Sequence, residues 1–432
     1  MINLIFDATI LLNAQNRDAG RSGAFFVAQN IIKRLNNSKS FRVFVYYDWK
    51  NIDAHFQDSL KLDNESINDF DAPFWKLCFK INKWMWKIHG RFYKRVLLRK
   101  PFALGILVTK YLMCAFQRLR CDCIKQCSAY MSPLNSVPLD IKQFSNLIFF
   151  TILHDTIPFW FVEDCGSAWA NELNKVVGNV GPRDFFFCVS NNSFLDFHKI
   201  NPEINSKNTV VTHLAAADEF STVGNIAAVL KIKKIYNIPE KKKYVFCLSS
   251  VSPRKNYDRI VKSFLSFVKS ERLNDLVIVV GGAKSDRFVM NLKNENAFDD
   301  ELIDSVVFPI GYINDDEKIA LYQNALFFVY TSQYEGFGLP PLEAMQCGCP
   351  VIVSNNSSLP EVVGDAGLMI DWDSMPQHIE AYKKLYENSD VRRQMREKGL
   401  IQAKKFSWNK TASIMEKTII QKIDSYNVGC SD

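Results

Sequence analysis

The sequence predicts an α/β fold built from doubly wound parallel sheets. A unit of apolar strand, glycine turn and amphipathic helix recurs along the chain. Residues 2–8 alternate as a strand, Gly20 and Gly23 follow, and residues 24–35 have helical periodicity. In the second half, the apolar run 276–280 ends at a pair of glycines. Such alternation of strands and helices is typical of parallel sheets covered by helices on both faces.

Length and composition indicate a globular protein of two or three domains. The chain has 432 residues, of which 47% are hydrophobic, and this excludes disordered and fibrous classes. The N-terminus enters a strand pattern without a basic segment or cleavage site, so we expect a cytosolic protein. Eleven cysteines, an odd number, then indicate reduced thiols. The group Cys114, Cys121, Cys123 and Cys127 fits no common zinc spacing, so free cysteines are preferred over a metal site.

The net charge of +7 is concentrated in one segment. Residues 72–120 contain twelve Lys or Arg and no Asp or Glu, so the rest of the chain carries 7 − 12 = −5. Trp75, Trp84, Trp86 and Tyr93 are interleaved with these cations. Basic aromatic helices suit an anionic membrane surface, which is the preferred interpretation. An ordinary pair of helices with a solvated basic face is the alternative, and no nucleic-acid module accompanies the segment.

Residues 334–350, YEGFGLPPLEAMQCGCP, organise the second half of the chain. They follow the apolar run 325–331, which predicts a buried strand, and Gly336 and Gly338 predict a tight turn before a helix that begins near Leu342. A helix N-terminus presents unpaired N–H groups that can hold an anion or sugar hydroxyls. Glu335 and Glu343 are eight residues apart, and we expect both to face one crevice.

This stretch resembles the E-x7-E signature of the retaining nucleotide-sugar glycosyltransferases of family 4, which stands here as EGFGLPPLEAMQCGCP. The resemblance implies the GT-B fold, in which two Rossmann-like domains face each other across a cleft. It also implies that Glu335 holds the donor sugar together with the backbone of the four residues that follow, and that Glu343 binds the ribose. Those four residues are Gly336, Phe337, Gly338 and Leu339.

A strand over residues 146–153 ends at His154 and Asp155. Ligands in open parallel sheets bind beside such strand ends, although the pair could equally form a local hydrogen-bonded turn. The motif HDTIP is similar to the H-D-x-x-P of family 4. The resemblance implies that His154 touches the donor sugar or its phosphate and that Asp155 orients the loop. It also places Gly23 in a loop beside the donor diphosphate and the acceptor, whereas the residues alone predict a plain turn equally well.

The segment SSVSPRKN resembles the E-P-R-K-N loop of the family, in which a basic pair holds the donor diphosphate. Arg254 and Lys255 match that pair. Fixed cations are needed there because the leaving group departs with developing negative charge. Ser252 stands where the family has glutamate, so the resemblance does not fix the backbone path of this loop.

The domain organisation follows from these motifs. We predict an acceptor-binding domain over residues 1–222 with a basic insertion at about 72–126, and a nucleotide-sugar domain over 223–405. The resemblance implies that a terminal helix at about 406–425 returns to the first domain, and the tail after Ser425 is expected to be disordered. Two D-x-D triplets, at 69–71 and 371–373, lack the strand context of a metal site, so we predict metal-independent chemistry.

The resulting hypothesis is a retaining hexosyltransferase that needs no cofactor. It would move mannose or another hexose from a GDP- or UDP-linked donor to a saccharide, preferably lipid-linked, in bacterial surface polysaccharide synthesis. The enzyme would be peripheral on the inner face of the cell membrane and would bind no nucleic acid. The alternatives are a non-hydrolysing sugar-nucleotide epimerase of the same fold, which needs acid and base groups for proton transfer, and a catalytically silent protein that binds a sugar or a membrane.

Overall fold

The computed structural model describes residues 1–13, 23–46, 68–69, 105, 107–108, 124–222, 226–249, 252–282 and 285–429. The basic segment 72–120 lies outside the described residues except at positions 105, 107 and 108. Gly20, Cys114, Cys121 and Cys123 also lie outside them.

The described strands form two parallel sheets, which confirms the predicted α/β class. The first sheet has seven strands in the order β3-β2-β1-β4-β5-β6-β7. Its strands are β1 Ile2–Asp7, β2 Phe41–Tyr46, β3 Asn68–Asp69, β4 Ala129–Ser132, β5 Ile148–Leu153, β6 Asp184–Cys188 and β7 Thr209–Val211. Chain order reverses between β1 and β4, as in doubly wound sheets.

The second sheet has six strands in the order β10-β9-β8-β11-β12-β13. They are β8 Lys243–Leu248, β9 Leu276–Gly281, β10 Val307–Gly311, β11 Phe327–Tyr330, β12 Val351–Ser354 and β13 Leu368–Ile370. The reversal lies between β8 and β11, so both strands direct their carboxyl ends at the crevice where a doubly wound sheet binds ligands.

Helices connect the strands. In the first half they are α1 Thr9–Asn13, α2 Gly23–Asn36, α3 Leu139–Lys142, α4 Ile157–Trp160, α5 Val162–Cys165, α6 Ser167–Val177 and α7 Asn191–Ile200. In the second half they are α8 Ile226–Ile235, α9 Tyr257–Ser270, α10 Ser285–Asn294, α11 Asp300–Val306, α12 Asp315–Asn324, α13 Leu339–Gln346, α14 Leu359–Val363, α15 Met375–Glu387, α16 Ser389–Ala403 and α17 Trp408–Gly429. Short 3₁₀ turns cover Pro253–Lys255 and Gly364–Ala366.

The central strands are apolar because helices cover both faces of each sheet. Every residue of β5 and of β9 is buried. The continuous apolar runs in the sequence are therefore the pattern expected of a parallel sheet. Helix α9 shows the complementary pattern, since it buries one face, including Ile260, Phe264 and Val268, while its charged residues lie toward solvent.

The structure corrects two predicted helix boundaries. Helix α13 begins at Leu339 and not near Leu342, because Gly338 with φ +117° ends the turn and a proline is tolerated in the first helical turn. Glu343 consequently lies in the second turn of that helix. The terminal helix continues to Gly429, so the segment just after Ser425 is helical and not disordered.

Helix α17 lies against the first sheet's helix α2. Arg34 Nε donates to Asn409 Oδ1 at 2.9 Å, and Ser38 Oγ donates to Glu416 Oε1 at 2.7 Å. The end of the chain thus contacts the half in which it began. Within the described ranges, none of the helices is long and apolar enough to cross a membrane.

Candidate active site

The two halves of the chain meet at the loop after β11. His154 and Asp155 follow β5 of the first sheet, and the loop 331–338 follows β11 of the second. A Cβ atom placed on Gly336 would lie 2.6 Å from the His154 carbonyl oxygen and 2.7 Å from Asp155 Cβ. Only glycine allows this approach, because real Cβ atoms essentially never come so close to backbone. Gly336 is therefore a docking point between the two halves.

Glu335 lies at the centre of a buried group of charges. Its Oε1 atom accepts hydrogen bonds from Lys255 Nζ at 2.6 Å, from Tyr330 OH at 3.0 Å and from Arg254 Nη1 at 3.3 Å. Lys255 Nζ also donates to Tyr330 OH at 2.8 Å, and Arg254 Nη1 donates to the Tyr334 carbonyl at 2.6 Å. The structure thus brings together Glu335, Arg254 and Lys255, the three residues that sequence similarity connects with the donor.

The electrostatics of this group follow from burial and ion pairing. Burial alone would raise the pKa of Glu335, but Lys255 and Arg254 outweigh it and lower the pKa below its usual value. Burial lowers the pKa of Lys255, although the neighbouring Glu335 carboxylate opposes the shift. At neutral pH the glutamate is ionised and its charge is matched by cations within hydrogen-bond distance.

Two serines hold the backbone on either side of the Glu335 side chain. Glu335 N donates to Ser357 Oγ at 3.0 Å, and Ser358 Oγ donates to the carbonyls of Glu335 at 2.9 Å and Phe337 at 2.6 Å. Neither these serines nor Tyr330 was predicted from the sequence. The two serines follow β12, and this position could have indicated them, since loops at the carboxyl edge of one sheet are neighbours.

His154 is held as a neutral ring. Its Nε2 atom lies 2.7 Å from the carbonyl oxygen of Pro133 and must carry the proton, since a carbonyl only accepts. Burial lowers the pKa of His154, so the ring is uncharged and its Nδ1 atom is the acceptor. Within the described residues Nδ1 makes no hydrogen bond.

Asp155 turns the loop after β5 and lies close to the charged group. Its Oδ1 atom accepts from Ile157 N at 3.0 Å, which begins helix α4. Burial raises the pKa of Asp155 to about 6, with Arg254 and Lys255 acting against the shift and Glu335 acting with it. Asp155 thus shares the field of the Arg254–Lys255–Glu335 group although it belongs to the other sheet.

The serines of the S-x-x-S turn receive the glycine loop. Ser190 Oγ donates to the Gly336 carbonyl at 2.7 Å, and Ser193 Oγ lies 3.1 Å from the same carbonyl and 2.7 Å from that of His154. Ser190 also caps helix α7 by accepting from Ser193 N. The turn therefore joins the carboxyl-end loops of β5, β6 and β11.

Tyr334 forms a further contact across the halves that our sequence analysis missed. Its hydroxyl donates to Asp196 Oδ2 at 2.7 Å and lies 3.1 Å from Thr156 Oγ1. Asn192 Nδ2 donates to the same hydroxyl at 3.3 Å. All three partners belong to the first half of the chain.

Glu361 forms the last of these contacts. Its carboxylate accepts from the backbone N of Asn191 at 3.0 Å and pairs with His213 Nε2. Burial would raise the pKa of Glu361, but hydrogen bonds from His213 and Asn191 lower it below its usual value. The pattern LPEVV in the sequence indicated a helix start and carried no signal for this partner.

Glu343 lies in a separate group of contacts. Its Oε2 atom accepts from Tyr322 OH at 3.3 Å and lies 3.5 Å from Lys318 Nζ, which also pairs with Asp315 at 2.8 Å. Burial raises the pKa of Glu343, and Lys318 opposes that shift only in part. The two glutamates of the signature therefore contact different side chains.

The remaining predicted site residues have varied environments. Phe337 is 4% exposed and packs against His213 and Phe406, with ring centroids 6.1 Å and 5.7 Å away. Gly338 and Leu339 form the start of helix α13. Gly23 begins helix α2, and a Cβ there would meet nothing within 4 Å.

The two D-x-D triplets differ in how much of them is described. Asp69 ends the short strand β3, and Asp71 lies outside the described residues. Asp373 pairs with Arg259, and the backbone N–H of Asp371 donates to Gln377 Oε1 at 2.8 Å. Among the residues that the structure describes, no group of three His, Cys, Asp or Glu side chains could hold a metal ion.

Part of the second half is similar to known proteins. Residues 229–401 match the family described as glycosyl transferases group 1. An O-antigen chain mannosyltransferase B of Escherichia coli is 34% identical over 197 residues, which cover 43% of this chain and 46% of that protein. The O-antigen chain mannosyltransferase RfbU of Salmonella typhimurium is 33% identical over 170 residues, which cover 37% and 46%. The chain thus spans less than half the length of these relatives.

Solved structures are similar over the whole chain. WaaG, a glycosyltransferase involved in lipopolysaccharide biosynthesis, is 13% identical with a TM-score of 0.62, covering 97% of this chain and 99% of its own. Anabaena Alr3699/HepE in complex with UDP and glucose is 13% identical with a TM-score of 0.63, covering 98% and 100%. The chain therefore has the GT-B fold, and residues 229–401 carry its similarity to glycosyl transferases group 1.

Proposed function

We propose that this protein is a retaining, metal-independent glycosyltransferase of family 4 that transfers a hexose from a nucleoside diphosphate donor to a saccharide. The observation that carries the proposal is the buried group of Glu335, Lys255 and Arg254 at the meeting point of two Rossmann-like sheets. Two cations in a partly dehydrated crevice suit a donor diphosphate, because charge pairing is stronger where water is excluded.

Each of these residues has a separate role in the proposed transfer. Lys255 and Arg254 hold the diphosphate and stabilise the charge that develops on it as the glycosidic bond breaks. Glu335 and the backbone of residues 336–339 hold the sugar, while Glu343 binds the ribose through its own group of contacts. His154 is neutral and offers Nδ1 as an acceptor toward a sugar hydroxyl. In front-face substitution, a leaving phosphate oxygen helps to deprotonate the acceptor, so no separate general base is required.

The names of the relatives support a proposal for the donor sugar. The matched relatives are named mannosyltransferases of O-antigen chains, which supports mannose as the transferred sugar, and we propose that GDP carries it. Thermal stabilisation by GDP-mannose, UDP-glucose and UDP-galactose, measured side by side, would test this. The strongest shift is expected with GDP-mannose, and a shift with a UDP-sugar alone would contradict the choice. No shift with any donor, together with no turnover, would contradict the proposed activity.

The first half of the chain is the proposed binding region for the acceptor and for the membrane. We propose a lipid-linked saccharide acceptor in surface polysaccharide synthesis, with residues 72–126 against the inner face of the membrane. Twelve Lys or Arg without an acidic residue in 72–120 support this location. A variant with Lys80, Lys83, Lys87 and Arg91 changed to Gln is expected to lose co-sedimentation with anionic vesicles. Attraction should weaken as salt rises, since charges are screened over about 8 Å at physiological ionic strength.

The rival functions make different predictions. An epimerase needs an acid and a base placed for proton transfer, whereas Glu335 is held ionised between two cations. A silent binding protein would neither transfer nor hydrolyse a nucleotide sugar. Detection of free sugar or glycosylated acceptor from a donor would exclude the silent protein, and inversion of a hydroxyl on the unbroken nucleotide sugar would favour the epimerase.

A further inference from the structure

A basic groove lies at the amino edge of the second sheet, away from the candidate active site. It has a volume of about 470 Å³ and is lined by the start of β8, by residues that precede β11 and β12, and by parts of helices α8, α12 and α16. Loops 331–338 and 252–256, which form the candidate active site, follow the carboxyl ends of β11 and β8. Because all strands of the sheet are parallel, the groove and the candidate site lie at opposite edges.

The residues that line the groove concentrate positive charge. Helix α8, the segment that leads into β8 and the start of β8 contribute Lys233, Lys241, Lys242 and Lys243, and helix α16 contributes Arg392, Arg393 and Arg396. Glu240 is the one acidic residue that lines it within the described part of the chain. Seven cations facing one carboxylate leave a strong excess of positive charge, which attracts an anion to a concave surface.

Some of these cations already have structural tasks. Lys233 Nζ donates to the carbonyls of Glu240 and Lys242, both at 2.8 Å, and so holds the loop before β8. Lys243 pairs with Asp275 at 3.1 Å. Arg392 donates to the Tyr386 carbonyl at 3.0 Å, at the end of helix α15.

Other cations remain available for a ligand. Lys241 and Arg396 form no ion pair with a described residue, and both are exposed. Arg393 pairs only with Asp390, and both side chains are 67% exposed, so water screens that pair and it costs little to exchange. Arg396 also lies over Gly348, where its Cζ is 3.0 Å from the position of a Cβ, which directs its stem along the groove wall.

We propose that this groove is a second anion site, which takes a ligand with two or more linked phosphate groups. Cations contributed by separate elements of the chain match several linked charges better than one, and guanidinium groups bind phosphate oxygens in a bidentate manner. The groove is distinct from the diphosphate position at Lys255, because it lies at the other edge of the sheet. A free oligophosphate and a phosphate-bearing lipid headgroup present the same chemistry to these side chains.

The test measures the reactivity of single lysines in the full-length protein. An amine-acetylating reagent is applied with increasing inorganic tripolyphosphate, and each lysine is followed by mass spectrometry. Lys241 reports on the groove, Lys255 on the candidate active site, and exposed Lys207 serves as an internal reference. The readout is therefore independent of catalysis, and the two anion sites are measured separately.

Two variants with equal loss of charge complete the design. Arg393→Gln with Arg396→Gln removes two groove cations, and Lys269→Gln with Arg287→Gln removes two exposed cations elsewhere. We expect tripolyphosphate to protect Lys241 in the wild type and the control. In the groove variant the concentration for half protection should rise about tenfold, which corresponds to a loss of about 1.4 kcal/mol. All four positions are exposed, and thermal unfolding verifies that each variant is folded.

The outcomes separate the proposal from its alternatives. Equal reactivity of Lys241 with and without tripolyphosphate would overturn it, and so would equal protection in the groove and control variants. Replacement of tripolyphosphate by vesicles identifies the source of the phosphate. Protection of Lys241 by phosphatidylcholine vesicles that contain a polyprenyl diphosphate, but not by phosphatidylcholine vesicles alone, would identify a lipid headgroup. Protection by tripolyphosphate alone would identify a free ligand.

Discussion

Glu335 and Glu343 belong to one signature, yet their pKa values are shifted in opposite directions. Glu335 has Lys255 at 2.6 Å and Arg254 at 3.3 Å, and its pKa is lowered despite burial. Glu343 has Lys318 at 3.5 Å, which is shared with Asp315, and its pKa is raised because burial prevails. The same residue type in the same seventeen-residue stretch, 334–350, is thus held as a firm anion in one place and as a more easily protonated group in the other.

The difference shows that two properties of the neighbouring cations decide how readily a buried carboxylate is protonated. One is their distance from the carboxylate, and the other is whether they also pair with a second carboxylate. A cation in direct hydrogen-bond contact offsets the cost of removing the carboxylate from water, whereas a shared and more distant cation offsets it only in part. The difference also fits the proposed tasks. Charge at Glu335 is matched to the reacting end of the donor, and Glu343 needs only to accept hydrogen bonds from a ribose.

The largest effect is expected from breaking the tighter pair. Lys255→Ala should lower turnover about a hundredfold or more, because loss of a group that stabilises transition-state charge costs on the order of 3 kcal/mol. Steady-state rates with the identified donor measure this, and far-UV circular dichroism should remain unchanged. Lys318→Ala, in the looser pair, is the matched control and should affect turnover much less. Near-normal turnover of a folded Lys255→Ala protein would contradict the assignment of the phosphate loop.

The next effect separates the two glutamates directly. Glu335→Gln should lower turnover about tenfold or more with little change in affinity for free nucleoside diphosphate, because the sugar changes shape and charge in the transition state. Glu343→Gln should weaken nucleotide affinity and affect turnover of bound donor less, since the ribose does not change. Calorimetry with nucleoside diphosphate beside steady-state kinetics measures both. Equal losses of nucleotide affinity in the two variants would contradict this division of tasks.

A smaller effect tests how the Glu335 loop is held against the first half of the chain. Gly336→Ala should destabilise the protein by about 1–3 kcal/mol, because the new Cβ would overlap the backbone of His154. Gly23→Ala is the matched control, with open space around its Cβ, and should leave stability equal or slightly improved. Chemical denaturation measures both variants. A Gly336→Ala protein as stable as the control would show that the two halves separate freely at this loop.

The smallest effect concerns Asp155, a third carboxyl in the same field. Its pKa is raised to about 6, so its ionisation disfavours the folded state. The cost is absent below the unfolded pKa of about 3.9, grows as pH rises toward 6, and is complete above it. This rise in pKa corresponds to a cost of about 3 kcal/mol at pH 7.5. Asp155→Asn should remove only about 1–2 kcal/mol of that cost, because an amide oxygen accepts a weaker hydrogen bond from Ile157 N than a carboxylate does, and the gap should close at pH 4. Denaturation of both proteins across this range measures it, and a gap that widens on acidification would contradict the raised pKa.

Local sequence patterns predicted much of the fold and part of the site. Strands such as Ile148–Leu153 and Leu276–Gly281 are continuous apolar runs, because burial on both faces of a parallel sheet requires them. Helix α2, Gly23–Asn36, matches the helical periodicity of residues 24–35, because its apolar residues are buried on one face. Lys255, Arg254 and Glu335 were also identified from motifs, and the structure brings their side chains into contact.

The unpredicted contacts join segments that are far apart in the chain. The contact of Tyr334 with Asp196 spans 138 positions, and that of Glu361 with His213 spans 148. Neither the residue types nor their spacing indicates such partners. The start of helix α13 was placed three residues late, since the φ of Gly338 depends on how the loop is docked.

The sequence by itself determined the alternation of strands and helices, the two doubly wound sheets and the motif residues Glu335, Arg254 and Lys255, which the structure brings into contact. These properties are set by periodic burial and by short-range backbone chemistry, which a linear pattern records. Only the tertiary structure decided the ionisation of Glu335, Glu343 and Asp155 and the approach of Gly336 to His154. A pKa depends on the distances to charges and on the water excluded around them, and both arise only when distant loops pack together.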